Sequence, residues 1–277
     1  MVKILIELLE FFRSCAPLLF SLGVMILFFS LLSKSIKRHA KIYYIIFALP
    51  FILYLIHFFG KLMGFEMFNL IGIPIVGEII RDYIHVAAFA HPILIIIMYT
   101  GALDHKNPTV KKLLSIRKEI SIISGFPILM HSLVRVMNNL PNAIKFFTDN
   151  TGYLESTKVV SELGAGISSF SFVLGIALLI IFVPLWVTSF DSVRKRMGVV
   201  KWKKLQKWAY VLYALLFIHA MGIQIGGMLN PRAGVSFSDI DPGRQIRQYI
   251  HIISLLLIYG SYLYLRLRKS ILFKDFI

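Results

Sequence analysis

Cysteine occurs once in the 277 residues, at Cys15. A single cysteine excludes a disulfide framework, a cysteine-based zinc site and covalent attachment of a cofactor through a cysteine pair. Acidic side chains are scarce as well, 14 against 30 Lys and Arg. A Gly-rich dinucleotide fingerprint is missing: Gly164, Gly166, Gly226 and Gly227 all fall inside or beside apolar stretches, not in a strand-to-helix turn. No cleavable leader is expected, because Glu7 and Glu10 precede the first apolar run and a second run follows directly. Low-complexity segments and internal repeats are also wanting.

What the chain does have is apolar length. Hydrophobic residues make up 57% of it, and mean hydropathy is +0.76. Several runs exceed the ~18 residues that mark a membrane-spanning helix. The expectation is an all-α polytopic membrane bundle, a single membrane domain over 1–277 with no soluble domain attached. Seven spans are expected: Ser14–Leu32, Ile42–Phe59, Ile79–Leu103, Ile120–Leu140, Glu162–Phe190, Leu205–Leu229 and Ile246–Leu267.

The net charge of +16 is explained by where it lies. One set of loops is basic: Lys34, Lys37, Arg38 and Lys41; then Lys106, Lys111, Lys112, Arg117 and Lys118; then Arg194 to Lys207; then the tail from Arg266. The alternate loops are balanced, Lys61 and Arg81 against Glu66, Glu78 and Asp82, and Lys145 and Lys158 against Asp149, Glu155 and Glu162. Basic loops stay in the cytoplasm, so the N-terminus is expected outside and the C-terminus inside, in a bacterial inner or cell membrane. Topology accounts for the charge, and nucleic acid is not an expected partner. The same rule covers Lys203, Lys204 and Lys207, which otherwise invite an anionic flavoprotein. The many aromatic residues suit lipid-facing and interfacial belts.

Eight histidines remain to be explained. His39 and His105 lie in basic loops and read as solvated. An ionisable group inside a span is costly and marks function by default, and two such groups match in depth. His131 follows Arg117 by fourteen residues, and His219 follows Lys204 by fifteen. At 1.5 Å per residue both lie roughly 21–23 Å above the inner surface, in the outer half of a core about 30 Å thick. Either histidine alone would serve equally well as a hydrogen-bond donor to a neighbouring helix. Two at one height on different helices can bind a haem iron from opposite faces, filling both axial positions and suiting electron transfer. Arg135, one turn beyond His131, is placed to pair with a haem propionate. Gly125 and Gly222 offer the close approach a flat macrocycle needs.

At these residues the chain resembles a known family. Thr188-Ser189, Arg194-Lys195-Arg196, Gly198, Trp202, Leu205, Tyr210 and His219, with Arg117 fourteen residues before His131, are similar to the ferric reductase-like transmembrane domain. That family includes the haem subunit of the periplasmic methionine sulfoxide reductase system and the membrane part of NADPH oxidases. The resemblance covers 117–227 as a haem-binding core and implies a b-type cytochrome with the haem between spans four and six. Family members carry a second histidine thirteen residues before each of these, where this chain has Lys118 and Gln206. One haem b is therefore expected, in the outer half.

The resemblance also implies an electron-transfer role of the ferric reductase type. The donor would be membrane quinol or a separate flavoprotein; the acceptor would be ferric iron or a partner protein at the outer face. Quinone or FMN are the further cofactors this allows. His57, His85, His91 and His251 lie in or at the ends of spans two, three and seven, as interfacial residues or as ligands of a second haem or a quinone. His85 and His91 are six residues apart, about 240° around a helix, so both cannot face one iron. The contrasting expectation is a haem-free transporter or quinone-binding subunit that uses its buried histidines for protons or metal.

Overall fold

The structure is a computed structural model. It describes residues 2–64, 87, 89–157, 159, 161–230 and 242–274. Every element among them is an α-helix: α1 (Val2–Cys15), α2 (Pro17–Leu31), α3 (Ser33–Arg38), α4 (Ala40–Leu62), α5 (Ala90–Thr100), α6 (Pro108–Ser115), α7 (Arg117–Thr148), α8 (Asn150–Thr157), α9 (Glu162–Val187), α10 (Asp191–Met197), α11 (Val199–Gln206), α12 (Trp208–Leu229) and α13 (Pro242–Lys274). In hydrocarbon each backbone N–H and C=O must be satisfied within the segment, which is why apolar runs of this length fold as helices.

Among the described residues five stretches are long and apolar enough to cross a membrane: Ala40–Gly60, Arg117–Thr148, Glu162–Val187, Val199–Leu229 and Gly243–Lys269. They correspond to the expected spans two, four, five, six and seven. Two further apolar helices are shorter. Pro17–Leu31, on the first expected span, has 15 residues, and Ala90–Thr100, the described part of the third, has 11. The chain is an integral membrane protein.

Local chemistry sets the breaks between helices. Asn107 caps α6 by accepting from the Thr109 and Val110 amides at 2.9 and 3.3 Å, and Pro108 takes the first helical position, where its missing N–H costs nothing. Gly198 separates α10 from α11 at φ +80°, a conformation glycine adopts without a Cβ penalty.

The chain divides into two compact units. The first comprises Met1–Phe20, Arg135–Phe182 and Lys203–Ile277. Here α12 packs along α13, with Tyr213 edge-on to Tyr262 and Phe217 against Tyr259. Arg266 hydrogen-bonds the Tyr210 hydroxyl. Along α9, small residues meet small residues of α12: a side chain at Gly222 would strike Ser171, and one at Gly226 would strike Ser168 and the Gly164 backbone. Such small-residue faces let membrane helices approach closely, since hydrophobic burial drives no association within lipid.

The second unit comprises Ser21–Val134 and Val183–Trp202. Phe29, Ile36, Ile93, Ile116, Ile120 and Ile123 are fully buried in it. The Trp186 indole N–H donates to the Ile122 carbonyl at 2.9 Å and lies against Gly125. Tyr54, Met130 and Val134 form a further buried cluster.

Candidate functional site

The site is built in the first unit around His219, half-buried in the middle of α12. Its Nδ1 lies 2.6 Å from the backbone oxygen of Ser171 on α9. A carbonyl only accepts, so Nδ1 carries the proton and donates. Nε2 is thereby left with its lone pair, which is the arrangement a metal-ligating imidazole requires. Beneath the ring is Gly175, where an added Cβ would stand 3.0 Å from Cε1 and 3.3 Å from Nδ1. Glycine at 175 therefore makes the ring's berth.

Arg135, half-buried on α7, acts electrostatically on His219 within the same unit. One turn further along the same face of α7 is Asn139. Its Oδ1 is buried and has no hydrogen-bond partner among the described residues. A buried amide oxygen left unsatisfied calls for a polar partner beyond the described residues. The chemistry of these three residues fits the group the sequence implies, a haem with propionates: it would find a lone-pair nitrogen for iron, and a cation and an amide for a carboxylate. Oxygen and nitrogen of an asparagine amide exchange by a flip, so Asn139 can serve as donor to a propionate.

His131 belongs to the second unit and is half-buried on α7. His91 is buried at the start of α5 beside Pro92. His251 is half-buried on α13. The side chain of His57 and the whole of His85 lie outside the described residues. His39 and His105 are exposed, as solvated loop residues should be.

Two expectations about glycines are corrected. The space beside Gly125 is filled by the Trp186 indole, and that beside Gly222 by the Ser171 side chain. Both glycines serve helix packing at these points. Lys118 is likewise engaged: its Nζ is 2.9 Å from Asp191 and 3.6 Å from Glu119. This ion pair holds the Asp191 carboxyl below the usual carboxylate range, chiefly through the hydrogen bond from Lys118. Among the described residues no group of three or more His, Cys, Asp or Glu side chains converges on a metal position; an axially ligated haem needs only two.

Sequence reasoning missed Ser171, Gly175 and Asn139. For the first two a signal existed in the small residues Gly164, Ser168, Ser171 and Gly175, spaced to line one face of α9. Asn139 is one residue among many near a span end, and only its burial singles it out.

Comparison with known proteins bears on this region. The family model described as ferric reductase like transmembrane component matches residues 84–217. This segment is a ferric reductase-like transmembrane domain. The ferric reductase-like segment begins ahead of the expected 117–227, taking in α5, and ends two residues before His219. Its class is that of membrane electron-transfer components. An uncharacterized protein of Treponema pallidum (strain Nichols) is 27% identical over 191 residues, covering 67% of this chain and 44% of that protein. The chain thus spans less than half the length of that relative. No solved structure matches the chain.

Proposed function

We propose that this protein is a transmembrane b-type cytochrome, passing single electrons from membrane quinol or a separate flavoprotein to ferric iron or a protein at the outer face. The observation that carries the reading is the 2.6 Å bond from His219 Nδ1 to the Ser171 carbonyl, which leaves the Nε2 lone pair available for iron. His219 is proposed as one of the two residues that would hold the haem iron. His131, matched to it in depth along the sequence, is proposed as the other. Arg135 and Asn139 would hold the carboxylate groups of the haem. Haem bound by two histidines supplies one-electron redox chemistry without an open coordination position.

The protein's own part is ligation, orientation and electrostatics. The Ser171 carbonyl fixes the ring plane of His219, and Gly175 admits that ring. Arg135 supplies a fixed positive charge on the haem's polar side. Lys118 is ion-paired and Gln206 is a poor ligand, which supports one haem, in the outer half. We further propose seven crossings, with 17–31 and the region around Ala90–Thr100 as the first and third, the N-terminus outside and the C-terminus in the cytoplasm.

The test is a reduced-minus-oxidised spectrum and a haem-to-protein ratio on purified protein, repeated for His131→Ala and His219→Ala. One haem per chain, lost in both variants, is the expected result. A protein without pigment would place it among haem-free transporters or quinone-binding subunits. Retention of pigment in either variant would reassign the ligand to His57, His85, His91 or His251.

A further inference from the structure

A cleft of about 820 Å³ lies within the first unit, against α9 and α12. It adjoins His219 through a shared residue, since Ser171 lines the cleft and holds the imidazole with its carbonyl. From Ser171 the cleft follows α9 to Glu162, nine residues or roughly 13–14 Å along the axis. Three aromatic rings form walls, Phe146, Phe170 and Phe217. At the mouth Leu163 and Phe170 are 68% and 57% exposed, so in a bilayer the cleft opens to lipid. Its volume falls in the range of small-molecule pockets.

The lining selects among membrane-borne molecules. Among the described residues it contains no Lys, Arg or His, and the one ionisable group they bring is the carboxylate of Glu162. A phospholipid phosphate gains nothing here and is repelled by that charge. A bare acyl chain has no use for three aromatic walls or for the carboxylate. What fits is a flat ring bearing hydroxyl groups, stacked between the phenyl rings, with one hydroxyl donating to Glu162 in a charge-assisted bond. An apolar tail would leave through the mouth into the membrane.

We propose that this cleft is the binding site of a membrane-dissolved quinol, its ring held by Phe146, Phe170 and Phe217 and its hydroxyl by Glu162. The assignment rests on the proposed cytochrome function for its purpose, and names which of the two donor classes reaches the site. The occupancy itself is independent of haem.

The experiment measures retention of a decyl-chain benzoquinol by full-length purified protein in detergent, with decylbenzene as a ring-bearing competitor lacking hydroxyls and the haem spectrum recorded in parallel. Two variants are compared. Gly166→Trp fills the cleft, because a Cβ at 166 already meets Phe146 at 3.0 Å. Glu162→Gln keeps the shape and removes the charge. Wild-type protein is expected to retain the quinol, Gly166→Trp to lose at least tenfold in affinity, and Glu162→Gln to lose three- to tenfold while binding decylbenzene as before. Should Gly166→Trp fail to yield monodisperse protein, Glu162→Gln decides alone. Absence of quinol retention, equal displacement by decylbenzene, or an unchanged Glu162→Gln would each overturn the assignment. Retention in a protein without pigment would sustain the cleft and sink the cytochrome reading; pigment without retention would do the reverse.

Discussion

At the scale of single residues, the placement of one proton governs what His219 can do. Had Nδ1 faced a donor, the ring would offer iron nothing; facing the Ser171 carbonyl, it presents Nε2. Because the acceptor is backbone, Ser171→Ala is expected to keep haem content within about twofold. Gly175→Val crowds the ring from the side where an added Cβ would already stand 3.0 Å from Cε1 and should lower haem content on the order of tenfold, as changes beside metal ligands do. Haem per chain, from the pyridine haemochrome, checks both. Asn139 gives a sharper signature. Its buried Oδ1 has no partner among the described residues, so Asn139→Leu should stabilise the haem-free protein by about 1 kcal/mol by removing an unsatisfied group. The same change should weaken haem retention up to about tenfold. Thermal unfolding of the apoprotein and haem titration read the two effects, and their opposite signs separate a ligand-facing amide from a merely structural one.

At the scale of elements, the helices are held by small-residue contacts and a few ion pairs. Gly222 and Gly226 on α12 meet Ser171 and Ser168 on α9, and this approach brings the Ser171 carbonyl to His219. In the second unit, Lys118 at the start of α7 reaches Asp191 at the start of α10, and Asp191 also holds Arg194 at 2.9 Å. Arg194 in turn lies over the Trp202 ring, whose N–H donates to the Thr188 carbonyl at 3.2 Å. The Asp191 carboxyl titrates below its ordinary value of about 4. The pair's contribution is therefore fully present at neutral pH and lost as pH falls through that lowered value. Asp191→Asn should unfold at a lower temperature than the wild type at pH 7, by a small margin given how exposed the pair is. The margin should vanish in acid below the carboxylate range and shrink at high salt. A margin that persists there would assign it to some other contact.

At the scale of the whole molecule, charge distribution orients the chain. The basic segments 34–41, 106–118 and 194–207 alternate with balanced ones, which predicts an outer N-terminus and a cytoplasmic C-terminus. Cys15 is the sole native thiol, so a Cys15→Ser background allows single cysteines to be introduced at will. Cysteines at 105 and 195 should react with a membrane-impermeant maleimide only after the membrane is opened, and one at 149 should react in intact cells. The reverse pattern would invert the topology and move the proposed haem to the cytoplasmic half.

Helices long enough to span were legible in the sequence because a bilayer leaves an apolar chain few alternatives, and five stretches bear this out. The same constraint made His219 conspicuous, since an ionisable side chain in a span demands a reason, and the ferric reductase-like character was readable from a handful of spaced residues. Tertiary structure alone decided which groups surround that histidine. The Ser171 carbonyl carries no mark in the sequence, every residue having one, and the burial of Asn139 depends on neighbours far along the chain. The glycines show the limit most clearly. A missing side chain announces that something comes close, but whether a macrocycle, an indole or a serine fills the gap is settled only when helices distant in sequence meet.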